Sequence, residues 1–89
     1  MSKREQELLG ILQEEAAEVI QAISKMNRFG KVSSRGDNNK EELQQEIGDF
    51  LGVLKLLCDD GHFDLDGLIK AGERKIKKMD KYLINKRSK

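Results

Sequence analysis

Apolar residues recur at three- and four-residue intervals along this chain, in three separate runs. Wound at about 100° per residue, Leu8, Ile11, Leu12, Val19, Ala22, Ile23 and Met26 fall within an arc of roughly 120°. The pattern predicts an amphipathic helix over about residues 3–28, running into Phe29 with Gly30 as its C-cap signal. A second run, from Leu43 through Ile47, Phe50, Leu51, Val53, Leu54 and Leu56 to Leu57, is apolar around more than half of the helical circumference. It predicts a helix over about residues 39–59, with Asn39 and Glu42 spaced as a capping box. Leu68, Ile69, Ile76, Met79 and Leu83 mark a third helix over about residues 64–85, fraying into Lys86–Lys89. Asp64 is its expected N-cap, with Phe63 and Leu68 at the hydrophobic-staple positions. Residues 29–38 lack periodicity and are rich in turn formers, which reads as a loop, with a short hidden helix within 31–38 as the alternative.

The implied fold class is all-α. Residues 1–89 form a single domain, an antiparallel bundle of three main helices. A helix as apolar as the second needs more neighbours than a small monomer offers. A homodimer that completes a four-helix or larger bundle is therefore expected, as a chain of 89 residues buries only a modest share of its surface alone.

Two acidic pairs interrupt the apolar stripes. Glu15 and Glu18 are spaced i, i+3, and so are Glu46 and Asp49, so each pair spans about 4.5 Å of helix rise. With Leu8 at zero, Glu15 falls at about 340°, inside the apolar arc, and Glu18 at about 280°, on its edge. Glu14 lands at about 240°, toward the wet side that holds Gln13, Gln21, Ser24 and Arg28. On the second helix Glu46 falls between Val53 and Leu57, and Asp49 between Val53 and Leu56. Both pairs are thus expected to look toward the core. Unpaired carboxylates cost several kcal/mol to bury, and four together repel. A divalent cation resolves both problems, and an all-oxygen donor set favours Mg²⁺, with Mn²⁺ as the second choice. The chain has one His and one Cys, which disfavours zinc and leaves no Glu-x-x-His pair for a di-iron bundle.

Composition refines the reading. The net charge is +1, but residues 70–89 hold nine Lys or Arg, Arg87 and Lys89 included, against Glu73 and Asp80. A basic third helix opposite two acidic ones suggests complementary roles at one site. Cys58 stands alone on the apolar side of the second helix and reads as a buried thiol. No apolar signal region and no run of membrane-spanning length is present, so a cytoplasmic protein is expected, host cytoplasm if phage-encoded. Gly48 and Gly52 in a helix imply either close helix approach or room for a ligand.

Residues 14–18 read Glu-Glu-Ala-Ala-Glu on the first predicted helix, and residues 46–49 read Glu-Ile-Gly-Asp on the second. This arrangement resembles the EExxE…ExxD signature of the MazG-like all-α nucleoside triphosphate pyrophosphohydrolases. Ser24-Lys-Met-Asn-Arg-Phe-Gly30 looks like the short phage and bacterial members, and the Lys75…Lys78…Tyr82 spacing is similar in a looser way. The resemblance spans roughly residues 8–83. It implies that Glu15, Glu18, Glu46 and Asp49 ligate Mg²⁺, with Glu15 or Glu18 a candidate for orienting the attacking water. It also implies cleavage of a nucleoside triphosphate between the α and β phosphates by a dimer or dimer-based tetramer. Lys75 and Lys78 are phosphate contacts by family spacing. Lys25, beside Glu18, and Arg28, close to the loop, join them as candidates, with Lys31 and Arg35 placed to close over a nucleotide. Phe29 and Tyr82 are expected to pack rather than stack on a base. Base and sugar preference stay open.

Two other classes compete. A non-enzymatic helical dimer, acting as an adaptor or regulator, explains the apolar second helix but not the inward acids. A nucleic-acid binder using residues 70–89 is disfavoured, because four aromatics offer little stacking surface and the acidic helices repel phosphate backbones.

Overall fold

The computed structural model describes residues 1–86; residues 87–89 lie outside the description. Three helices carry the described chain: α1 (Lys3–Phe29), α2 (Asn39–Asp59) and α3 (Leu65–Tyr82). Their type and order follow from the apolar periodicity, and the all-α class agrees with it. The third helix ends earlier than the pattern suggests, with Leu83 already in extended backbone. The expected fraying beyond Lys86, and the cations Arg87 and Lys89, lie outside the described residues.

The caps show why the helices start and stop where they do. The Ser2 hydroxyl accepts from the Glu5 amide and opens α1, while Gly30 closes it at φ 83°, donating its N–H to the Met26 carbonyl. A β-carbon is strained at that angle, which is why glycine serves there. Asp64 caps α3 as expected, accepting from the Gly67 amide. The start of α2 differs from the capping-box expectation by one residue. Asn38 is the cap, its side chain accepting from the Glu41 amide. Asn39 is instead buried, and its side-chain amide donates to the Gly30 carbonyl at 3.0 Å.

The segment between α1 and α2 holds no helix; it folds as a tight reversal. Val32 and Asn38 form an isolated antiparallel bridge, and the Gly36 amide donates to the Ser33 carbonyl across a turn in which Gly36 has φ 90°. The Ser33 hydroxyl accepts from the amides of Arg35 and Asp37 and donates to the Asp37 carboxylate. These bonds satisfy polar groups that a loop leaves open.

α1 and α2 pack side by side as an antiparallel hairpin, whereas α3 makes no more than marginal contact with either. The buried hydrophobic residues, Leu8, Ala22 and Leu57, all belong to α1 and α2. Cys58 is half-buried rather than fully enclosed. Apolar side chains that a bundle would cover stay open: Leu51, Ile69, Ile76 and Leu83 are each more than 40% exposed. The radius of gyration is 16.2 Å, against about 12 Å for a compact chain of this length. The accessible surface, 7555 Å², exceeds that of a compact protein of this mass by roughly 2,200 Å². At Gly48 and Gly52 nothing within the chain approaches the position a β-carbon would take, so no close helix contact within one chain explains them.

Candidate functional site

The α1–α2 hairpin is tied by opposite charges at both ends. At the end formed by the start of α1 and the finish of α2, the Arg4 guanidinium donates to Asp60 at 2.5 Å, and Glu5 lies 3.6 Å from His62. The Arg4 guanidinium holds the Asp60 carboxyl below its ordinary range. At the loop end, the Lys25 ammonium donates to both carboxylate oxygens of Glu42, at 3.0 and 3.2 Å.

Between these ties the charges do not cancel. One carboxylate oxygen from each of Glu15, Glu46 and Asp49 lies within 4.8 Å of the others. Glu18 stands outside that trio, but its charge is the strongest of the four that act on Glu46. The Glu46 carboxyl is pushed above its ordinary range, first by desolvation and then by the negative charges of Glu18, Asp49, Glu15 and Glu42. Among the described residues no ion pair reaches Glu15, Glu18, Glu46 or Asp49. Asp49 is steadied by a hydrogen bond from the Gln45 side-chain amide, one turn earlier, at 3.0 Å.

The helical wheel places both members of each acidic pair toward the core, and the structure splits them. Glu15 and Glu46 are half-buried, whereas Glu18 and Asp49 are exposed. Two helices side by side cover only the seam between them, and the residues on the edges of each stripe stay wet. The arrangement suits a hard divalent cation. Oxygen donors converge from both helices, no cation among the described residues pairs with them, and the exposed side leaves coordination positions open.

Among the described residues none of the four expected phosphate contacts forms an ion pair with this cluster. Lys25 pairs with Glu42 rather than standing free beside Glu18. The Arg28 guanidinium lies 5.0 Å from the centroid of the Phe29 ring, and the Lys75 ammonium 5.6 Å from that of Tyr82. Lys75 and Lys78 ride on α3, which stands apart from the acidic hairpin. Phe29 and Tyr82, expected to pack, are both more than half exposed. Sequence reasoning passed over Glu42 as anything but a capping residue, and over Asn39 as a buried lock. Both act through partners on the far side of the reversal, beyond the reach of any local spacing.

No helix among the described residues is long and apolar enough to cross a membrane. No curated protein and no solved structure matches the chain. A family model described as the MazG nucleotide pyrophosphohydrolase domain matches residues 3–84, which takes in all three helices and every acid of the cluster. With that match over nearly its whole length, the chain belongs to the MazG nucleotide pyrophosphohydrolase family.

Proposed function

We propose that the protein is a Mg²⁺-dependent nucleoside triphosphate pyrophosphohydrolase, acting in the cytoplasm on (d)NTPs. Water adds at one of the two phosphorus atoms flanking the α–β bridging oxygen, the P–O bond to that oxygen breaks, and the products are a nucleoside monophosphate and pyrophosphate. The observation that carries this reading is the convergence of Glu15, Glu46 and Asp49 within 4.8 Å, with no compensating protein cation among the described residues.

In this reading Glu15, Glu46 and Asp49 hold the ion, with Glu18 as a fourth ligand or as the acceptor that orients the attacking water. When bound, Mg²⁺ supplies charge neutralisation at the phosphates. The chain's own residues do the rest. Gln45 fixes the rotamer of Asp49, and the half-buried seam keeps Glu15 and Glu46 facing one another. Lys25 and Arg28, toward the loop end, and Lys75 and Lys78, on α3, are the candidate phosphate contacts.

A second copy of the chain completes the assembly as a homodimer or a dimer-based tetramer. The excess accessible surface, roughly 2,200 Å² per chain, is of the size that obligate homodimers bury. Burying it covers the open apolar side chains of α2 and α3. The test is incubation of the pure protein with Mg²⁺ and a panel of NTPs and dNTPs, with products separated by chromatography and Glu46→Gln run in parallel. Monophosphate plus pyrophosphate, lost with EDTA and in the variant, is the expected result. Diphosphate plus phosphate would overturn the cleavage position, and no turnover of any nucleotide would favour a helical adaptor.

A further inference from the structure

The apolar residues of α3 keep a heptad rhythm. Leu65, Ile69, Gly72, Ile76 and Met79 recur at alternating four- and three-residue steps, and Leu83, directly after the helix, continues the count. Wound at about 100° per residue, Leu65 to Met79 fall within an arc of roughly 80°, the narrow seam of a helix that packs along one other helix. In α1 the same rhythm runs through Leu8, Leu12, Glu15, Val19, Ala22 and Met26, and α2 answers it: none of those six is exposed. In α3 the seam stays open. Leu65, Ile69 and Ile76 are each more than half exposed, and a groove of about 720 Å³ lies over Ile76, Met79 and Leu83.

The charges beside the seam decide what covers it. Asp66, Glu73 and Asp80, seven residues apart, line one edge, while Leu68, Lys75 and Tyr82 line the other. A basic amphipathic helix suits an anionic lipid surface, but there the three carboxylates would be pressed against negative headgroups. A second α3 laid antiparallel sets acid edge against acid edge in every register. Laid parallel, each acid edge meets Leu68, Lys75 and Tyr82, none of them negative. Ile69 and Ile76 at one set of seam positions, with Leu65 and Met79 at the other, suit two strands. We propose that α3 pairs with the α3 of a second copy of this chain, parallel and in register, so that Met79 meets Met79 of the partner subunit. The seam is about 27 Å long, enough to align two chains, and the exposed Ile20, Ile47 and Leu51 of the hairpins add apolar area to the same assembly. This pairing specifies which face the second copy covers, and it holds whether or not any nucleotide is hydrolysed.

The experiment places one cysteine on α3 in a Cys58→Ser background, either Met79→Cys on the seam or Lys81→Cys on the outer face. Each protein is oxidised with oxidised glutathione and run on a non-reducing gel, with circular dichroism confirming its helical content. Facing positions of a parallel pair lie within disulfide reach, so Met79→Cys should link into dimers at least about tenfold faster than Lys81→Cys. A second measurement uses Gly72, where nothing in the chain approaches the position of a β-carbon. Gly72→Leu should fill the seam and tighten the dimer roughly tenfold by analytical ultracentrifugation, beyond the gain from Gly72→Ala, the control for helix propensity. Equal linking rates for the two cysteines would overturn the proposal. So would a dimer weakened by Gly72→Leu, the result expected if α3 lies with its glycine close against the partner's hairpin. A wild type that stays monomeric in solution and sediments with phosphatidylglycerol vesicles would give the seam to lipid instead.

Discussion

Glu42 and Glu46 sit one turn apart on the same helix and meet opposite surroundings. Glu42 is answered by Lys25 at 3.0 Å, a contact the chain completes by itself. Glu46 is surrounded by Glu18, Asp49, Glu15 and Glu42, and its carboxyl is held above the ordinary range by desolvation and by those charges. The same residue type is thus part of a tie at one position and a source of repulsion at the other. The fold ties both ends of a helical hairpin with ion pairs and leaves the middle uncompensated, which is where the proposed Mg²⁺ would be held. The contrast teaches where to look for the missing charge.

The largest expected effect breaks the acidic side of this comparison. Glu46→Gln and Glu15→Gln should each lower pyrophosphohydrolase activity more than about 100-fold, because even outer-shell changes at metal sites cost roughly 10- to 100-fold. In metal-free buffer the same variants should melt at or above the wild-type temperature, since each removes a repulsive charge. A lower metal-free melting temperature would mean that these carboxylates stabilise the fold instead.

Assembly comes next. Ile76 is 68% exposed in the single chain. Ile76→Glu should leave an isolated chain's stability within about 0.5 kcal/mol, as surface changes do. In a dimer that buries α3 it should shift the mass measured by light scattering toward the monomer. An unchanged mass for wild type and variant, both monomeric, would sink the assembly.

Mg²⁺ sharpens the contrast without a mutation. At about 100 times its dissociation constant, an ion that binds only the folded state adds about 2.7 kcal/mol, and a domain of this size then melts on the order of 10 °C higher. The rise should vanish in Glu46→Gln and persist in Lys25→Met. The Lys25–Glu42 pair itself is half-exposed, so Lys25→Met should cost under about 1 kcal/mol of stability by denaturant titration.

The smallest effect concerns the opposite end of the hairpin. Asp60 has its carboxyl below the ordinary value of 3.8, chiefly through the Arg4 hydrogen bond. A depressed carboxyl contributes stability above the unfolded-state value and loses it as pH falls through the depressed one. The wild type should therefore lose this contribution below pH 3.8, and Arg4→Met should lack it throughout. Melting curves for the two proteins should converge at the acid end.

The three helices were legible because helical periodicity is local: burial of one stripe demands apolar residues every three or four positions, whatever lies opposite. The spacing of Glu15, Glu18, Glu46 and Asp49 was legible for the same reason. The cap of α2 was not, because Asn38 with Glu41 and Asn39 with Glu42 fit the same spacing equally well. The choice fell to a contact between Asn39 and the Gly30 carbonyl across the reversal. The wheel ranks Glu15, inside the apolar arc, ahead of Glu18, on its edge, but that Asp49 rather than Glu18 joins Glu15 and Glu46 depends on where α2 crosses α1.

By itself, then, the sequence determined the helices, their order, the caps at Gly30 and Asp64 and the acidic register, all of which follow from interactions within a few residues. Only the tertiary structure decided that Lys25 answers Glu42, that Asp49 rather than Glu18 joins Glu15 and Glu46, and that α3 stands off from the hairpin. Those outcomes depend on distances between segments far apart in the chain, which no local pattern of side chains encodes.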